Sequence, residues 1–157
     1  MFVTRLFCAF HYSEIQKEPK DSNGDTPLHL ASKRGKLNIV QFIMESNINV
    51  SKEPKNYLNE SPLHLAAENG QLGVVKYLMI QNINIEPRNY KGETPLHYAT
   101  NSNQVSVVKY LFAHPGVNRY PKDNFDNTPL NDVEFNHTEL HIEEFSEIFN
   151  WMSGMKN

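Results

Sequence analysis

Cysteine occurs once in the 157 residues, as Cys8. An internal disulfide is therefore impossible, and so is a thiolate metal cluster. No apolar run approaches the roughly 18 residues that a membrane-crossing helix requires, so no membrane span is expected. Cationic residues are outnumbered, 15 Lys and Arg against 18 Asp and Glu. The net charge of -3 argues against a general nucleic-acid binder, which carries a basic stripe. The opening MFVTRLFCAFHY interrupts its apolar residues with Arg5 and His11 and lacks a convincing cleavage site. No signal peptide is expected, and the working place is expected to be intracellular, cytoplasmic or nuclear. A nucleophile elbow, a phosphate-cradling glycine loop and paired catalytic carboxylates are all missing, so neither catalysis nor a cofactor is expected.

What the chain has instead is repetition. Thr26-Pro27-Leu28-His29-Leu30-Ala31 returns as Ser61-Pro62-Leu63-His64-Leu65-Ala66 and as Thr94-Pro95-Leu96-His97-Tyr98-Ala99, with a worn copy at Thr128-Pro129-Leu130-Asn131. The prolines are spaced by 35, 33 and 34 residues. A fixed period of that size marks stacked units. Thr or Ser before Pro sets an N-cap oxygen ahead of a ring whose φ suits the first helical position, so a helix is predicted to start at each proline. Gly35, Gly70 and Asn103, eight residues on, tolerate the left-handed conformation that stops a helix after about two turns. A second apolar pattern follows each stop: Ile39, Val40, Phe42, Ile43, then Val74, Val75, Tyr77, Leu78, then Val107, Val108, Tyr110, Leu111. Its spacing predicts one face of a second helix.

Between units lie tips. Asp21, Asn56, Asn89 and Asp123 start turns, and Gly24, Asn59, Gly92 and Asp126 accept positive φ three residues later. The two residues between are free of that geometry: Ser22 and Asn23, Tyr57 and Leu58, Tyr90 and Lys91, Asn124 and Phe125. Three of the four tips thus carry an aromatic, either as a binding anchor or as a ring lying on the neighbouring tip.

The string Thr-Pro-Leu-His-x-Ala, a glycine stop and a paired-aliphatic helix resemble the ankyrin repeat. The resemblance implies an all-α solenoid of helix-turn-helix units with β-hairpin finger tips. Its segments would be a truncated half-repeat or cap at 1–20, repeats at 21–53, 56–88 and 89–121, and a degenerate capping repeat at 123–152. Phe2, Leu6, Phe7 and Phe10 would close the first flank. In the last unit Asn136 and Glu139 suggest a capping box, and the acidic excess of residues 132–157 reads as a solvated cap or an acidic docking tail.

The resemblance also implies a non-catalytic protein-binding module, monomeric when unbound, acting as adaptor, scaffold or inhibitor. Contacts would fall on the tips, at Asn23, Tyr57, Leu58, Tyr90, Lys91, Asn124 and Phe125. They would also fall before the helix stops, at Lys33, Arg34, Glu68, Asn69, Asn101 and Ser102. A substrate-recruiting fragment of a larger enzyme, ligase or exported effector is the alternative. The recurring His29, His64 and His97 come one per repeat and cannot share one ion; the resemblance implies that each bonds backbone of the next unit. His137 and His141 stand at the i, i+4 spacing of a zinc pair, which leaves a metal-dependent enzyme as a further alternative. Thr138, however, stands where the zincin motif needs glutamate, and no metal is expected there.

Overall fold

The computed structural model describes residues 18–46, 51–131 and 146–154. Most of the expected half-repeat, Cys8, the Asn136 and Glu139 capping box, and His137 with His141 lie outside the described residues. Seven helices lie within them, and no strand does. They are α1 (Pro27–Lys33), α2 (Leu37–Glu45), α3 (Pro62–Glu68), α4 (Leu72–Met79), α5 (Pro95–Asn101), α6 (Val105–Ala113) and α7 (Ser146–Gly154). None of them is long and apolar enough to cross a membrane.

Local chemistry sets the helix ends. Thr26, Ser61 and Thr94 keep extended backbone, and the proline that follows each opens α1, α3 and α5. Gly35, Gly70 and Asn103 then take φ of 65°, 68° and 53°, reversing the chain into α2, α4 and α6. The first helix of each pair packs on its own second helix and, more extensively, on the first helix of the next unit. Leu28, Leu63, Leu96 and Leu130, one from each string, are all buried along this stack. Burial of each contributes roughly 1.5–3 kcal/mol.

The second helices bury a wider arc than their spacing alone predicts. Val74, Val75, Leu78 and Met79 are buried in α4, and Val107, Val108, Leu111 and Phe112 in α6. These helices are sandwiched between two neighbours. The tyrosine of that expected face sits toward the preceding unit: Tyr77 donates to Glu45 Oε1 at 3.1 Å, and the Tyr110 ring lies 5.5 Å from Lys76 Nζ. In α2 Phe42 holds the tyrosine register and is 69% exposed, and Ile39, the counterpart of the buried Val74 and Val107, is 45% exposed. They point to the flank where the described residues place no earlier unit. At the other end α7 packs on α6, with Trp151 edge-on to Phe112 and Glu147 paired with Lys109 at 2.8 Å.

Candidate interaction surface

Four tips share one construction. In each, Oδ1 of the leading Asp or Asn accepts two backbone N–H groups: Asp21 from Asn23 and Asp25, Asn56 from Leu58 and Glu60, Asn89 from Lys91 and Glu93, and Asp123 from Phe125 and Asn127, at 2.8–3.0 Å. Gly24, Asn59, Gly92 and Asp126 carry the positive φ that closes each turn. At Gly92 a Cβ would stand 2.3 Å from Asn124 Oδ1 and 2.9 Å from that residue's backbone nitrogen. The next tip is packed where a side chain would be.

The tips are also tied to one another. Tyr57 N–H donates to Asn23 O, Tyr90 N–H to Leu58 O, and Asn124 N–H to Lys91 O, at 2.8–3.1 Å. Arg88 Nη1 spans two tips by donating to Gly92 O and Lys122 O, both at 2.6 Å. One main-chain bond per neighbouring pair is too little for a ladder. The expected hairpins are accordingly closed turns, strung in a row.

Beneath the tips the repeated histidines lock unit to unit. Nδ1 of His29, His64 and His97 accepts the backbone N–H of Thr26, Ser61 and Thr94 at 3.1–3.2 Å. A backbone N–H can only donate, so Nδ1 is bare and the proton lies on Nε2. Nε2 donates to Glu60 O at 3.0 Å, Glu93 O at 3.1 Å and Asn127 O at 3.2 Å, each in the following unit. All three rings are buried. Burial pushes the His64 pKa down to about 3 and lowers those of His29 and His97. Both ring nitrogens are committed to backbone groups, so these residues are structural ties.

A polar chain runs along the same face. Asn56 Nδ2 donates to Asp25 Oδ1 at 2.8 Å and to Glu60 Oε2 at 2.6 Å. The Tyr98 hydroxyl donates to Glu60 Oε1 and accepts from Asn89 Nδ2 at 2.9 Å, and Asn89 Nδ2 also donates to Glu93 Oε2 at 2.8 Å. Burial, then the Glu60 carboxylate, raises the Tyr98 pKa and keeps the phenol neutral. Above this chain a hollow of about 320 Å³ opens between the second and third units.

Of the thirteen contact residues expected from sequence, six line that hollow: Leu58, Glu68, Tyr90, Lys91, Asn101 and Ser102. Tyr57, Leu58, Tyr90 and Phe125 project from the tips at 63%, 60%, 70% and 71% exposure. Tyr57 rests against Gly24 of the preceding tip and near Lys20, whose Nζ is 5.9 Å from its centroid. Asn23, Lys33, Arg34 and Asn124 are exposed outside the hollow, while Asn69 is half-buried and donates to Leu65 O at 2.9 Å. Sequence reasoning missed Glu60, Glu93 and Tyr98 as members of this face. The available signal was Tyr98 itself, which stands where the first two units have Leu30 and Leu65.

Repeated helix-turn-helix units, tied by one histidine each and edged by a row of turns, define a stacked-repeat protein. The family model for ankyrin repeats (three copies) matches residues 2–89, 47–123 and 63–140. The chain belongs to the ankyrin-repeat family. No curated protein matches it. Ankyrin repeats are in general protein-interaction modules and in general non-catalytic.

Proposed function

We propose that the chain is a non-catalytic docking module that binds another protein through its row of tips and the adjoining ends of its first helices. The observation that carries this reading is the solvent exposure of Tyr57, Leu58, Tyr90 and Phe125 on turns closed by side-chain and main-chain hydrogen bonds. Large apolar side chains held out by rigid backbone lose little freedom on docking, and aromatic anchors of this kind dominate binding energies. Asn23, Lys33, Arg34, Glu68, Asn69, Lys91, Asn101, Ser102 and Asn124 supply the polar surround. The charge before the helix stops passes from basic at Lys33 and Arg34 to acidic at Glu68 and neutral at Asn101 and Ser102. The role is that of an adaptor, scaffold or inhibitor inside the cell, monomeric until a partner arrives.

The test is affinity capture with the chain as bait beside the triple variant Tyr57→Ala, Tyr90→Ala, Phe125→Ala. Proteins retained by the wild type and lost by the variant are the expected result. Identical captured sets would overturn the proposal.

A further inference from the structure

We infer that the hollow between the second and third units receives a basic side chain of the bound protein, an arginine by preference. The inference rests on the docking reading above and specifies which chemical group enters the face. At about 320 Å³ the hollow lies at the low end of small-ligand sites and suits one side chain better than a folded element. Among the described residues it is lined by Tyr90, Tyr98 and Leu58 together with Glu60, Glu68 and Glu93, against one ammonium, that of Lys91.

Glu60 is the informative member. It is only 8% exposed, and its oxygens accept from Asn56 Nδ2 and the Tyr98 hydroxyl, both neutral. No cation among the described residues stands within 4 Å of it: the two ion pairs there, Lys109 with Glu147 and Lys122 with Asp126, lie elsewhere. A carboxylate withdrawn from water without a countercharge is costly, and neutral donors offset only part of that cost.

A guanidinium entering the hollow supplies the missing positive charge. Its planar fork suits carboxylates, and its flat faces suit the tyrosine rings. An apolar side chain would strip water from the carboxylates and give them nothing. A chelated metal ion fits less well, because among the described residues no three His, Cys, Asp or Glu side chains converge as ligands.

The experiment is an NMR titration of the whole chain with acetyl-Gly-Arg-Gly-amide, beside peptides carrying citrulline, lysine or leucine at the central position. Citrulline keeps the shape of arginine and removes its charge. The expected result is a saturable shift at Tyr90, Tyr98 and Ser102 with the arginine peptide, about tenfold weaker with citrulline. The response should be lost in the variant Glu68→Gln, Glu93→Gln and unchanged in Ile80→Ala, an exposed position outside both the hollow and the tip row. Should the double variant melt early, Glu68→Gln alone must still weaken the response. No saturable shift, or an equal shift with citrulline or leucine, would overturn the inference. Tip-dependent capture of a protein without any arginine response would reject this pocket and leave the docking reading standing. An arginine response without tip-dependent capture would do the reverse.

Discussion

Asn131 takes in the fourth unit the place that His97 holds in the third. Its Oδ1 accepts the Thr128 N–H at 3.0 Å, as His97 Nδ1 accepts the Thr94 N–H at 3.1 Å. The shorter side chain keeps the local cap.

That natural comparison defines the first prediction. In His64→Asn the cap at Ser61 survives, but Glu93 O loses its donor, so stability at neutral pH should fall by about 1–3 kcal/mol. The pH dependence has a definite sign. The folded-state pKa of His64, about 3, lies below the usual 6.5, so the unfolded chain binds the extra proton and stability drains away as pH falls from 6.5 toward 3. By pH 4.5 this one residue should remove roughly 2–3 kcal/mol. Urea unfolding at pH 7.5 and pH 4.5 should show a smaller acid loss in the variant than in the wild type. Equal losses would mean that protons act elsewhere.

Two glycines should respond in opposite directions to alanine. Gly92 has φ of 79° and meets the fourth tip at 2.3 Å from its ideal Cβ position, so Gly92→Ala should cost about 1–3 kcal/mol and loosen the tie to Asn124. Gly73 lies in α4 with Leu37 Cδ2 3.9 Å away, an ordinary contact. Gly73→Ala should therefore be neutral or stabilising by up to ~1 kcal/mol. Thermal melts of the pair separate backbone strain from helix propensity, and a matching response in both would contradict the assignment of Gly92.

The parts of this architecture written within a few residues were legible from the chain alone. Proline after Thr or Ser fixes a helix start, and a left-handed residue eight positions later fixes its stop. An Asp or Asn three residues before a positive φ fixes a tip. Each of these is decided by groups close in sequence. The bond between Tyr98 and Glu60 was not legible, because 38 residues separate them and only the stacking offset brings them together. The inward face of the second helices was blurred for a related reason. Met79 and Phe112 are buried by the sandwiching of α4 and α6 between neighbouring helices, a fact that no single unit contains. Six expected contact residues do gather at one hollow, yet its acidic lining at Glu60 and Glu93 comes from positions that look like ordinary linker.

Tyr98 should behave as a reluctant acid. Its phenol is buried and faces the Glu60 carboxylate, and both effects hold it neutral. Because the folded pKa lies above the unfolded value of about 10, the associated stability is intact below that pH and is lost as pH rises beyond it. Tyr98→Phe removes the donor to Glu60 and the acceptor for Asn89, at a cost of about 1–2 kcal/mol near neutrality. An absorbance titration should lose a late, unfolding-coupled phenolate step in the variant. A late step that persists unchanged would assign it to another tyrosine.

The tip aromatics should separate binding from folding. Tyr90 and Phe125 are 70% and 71% exposed, and the turns beneath them are closed by Asn89 and Asp123, so neither ring is needed for the backbone to form. Tyr90→Ala and Phe125→Ala should each weaken partner binding by about 1–3 kcal/mol, as truncated interface anchors do. The melting temperature should move by no more than a surface substitution allows, within the shift that ~0.5 kcal/mol produces. The polar tie of Asn124 to the Tyr90 carbonyl at 2.9 Å survives both changes, so the spacing of the two tips is preserved. Calorimetric titration of the captured partner, set beside melts of the free variants, checks the two quantities separately. Wild-type binding by both variants would remove the tip row from the interface, and a large drop in melting temperature would make these rings part of the fold.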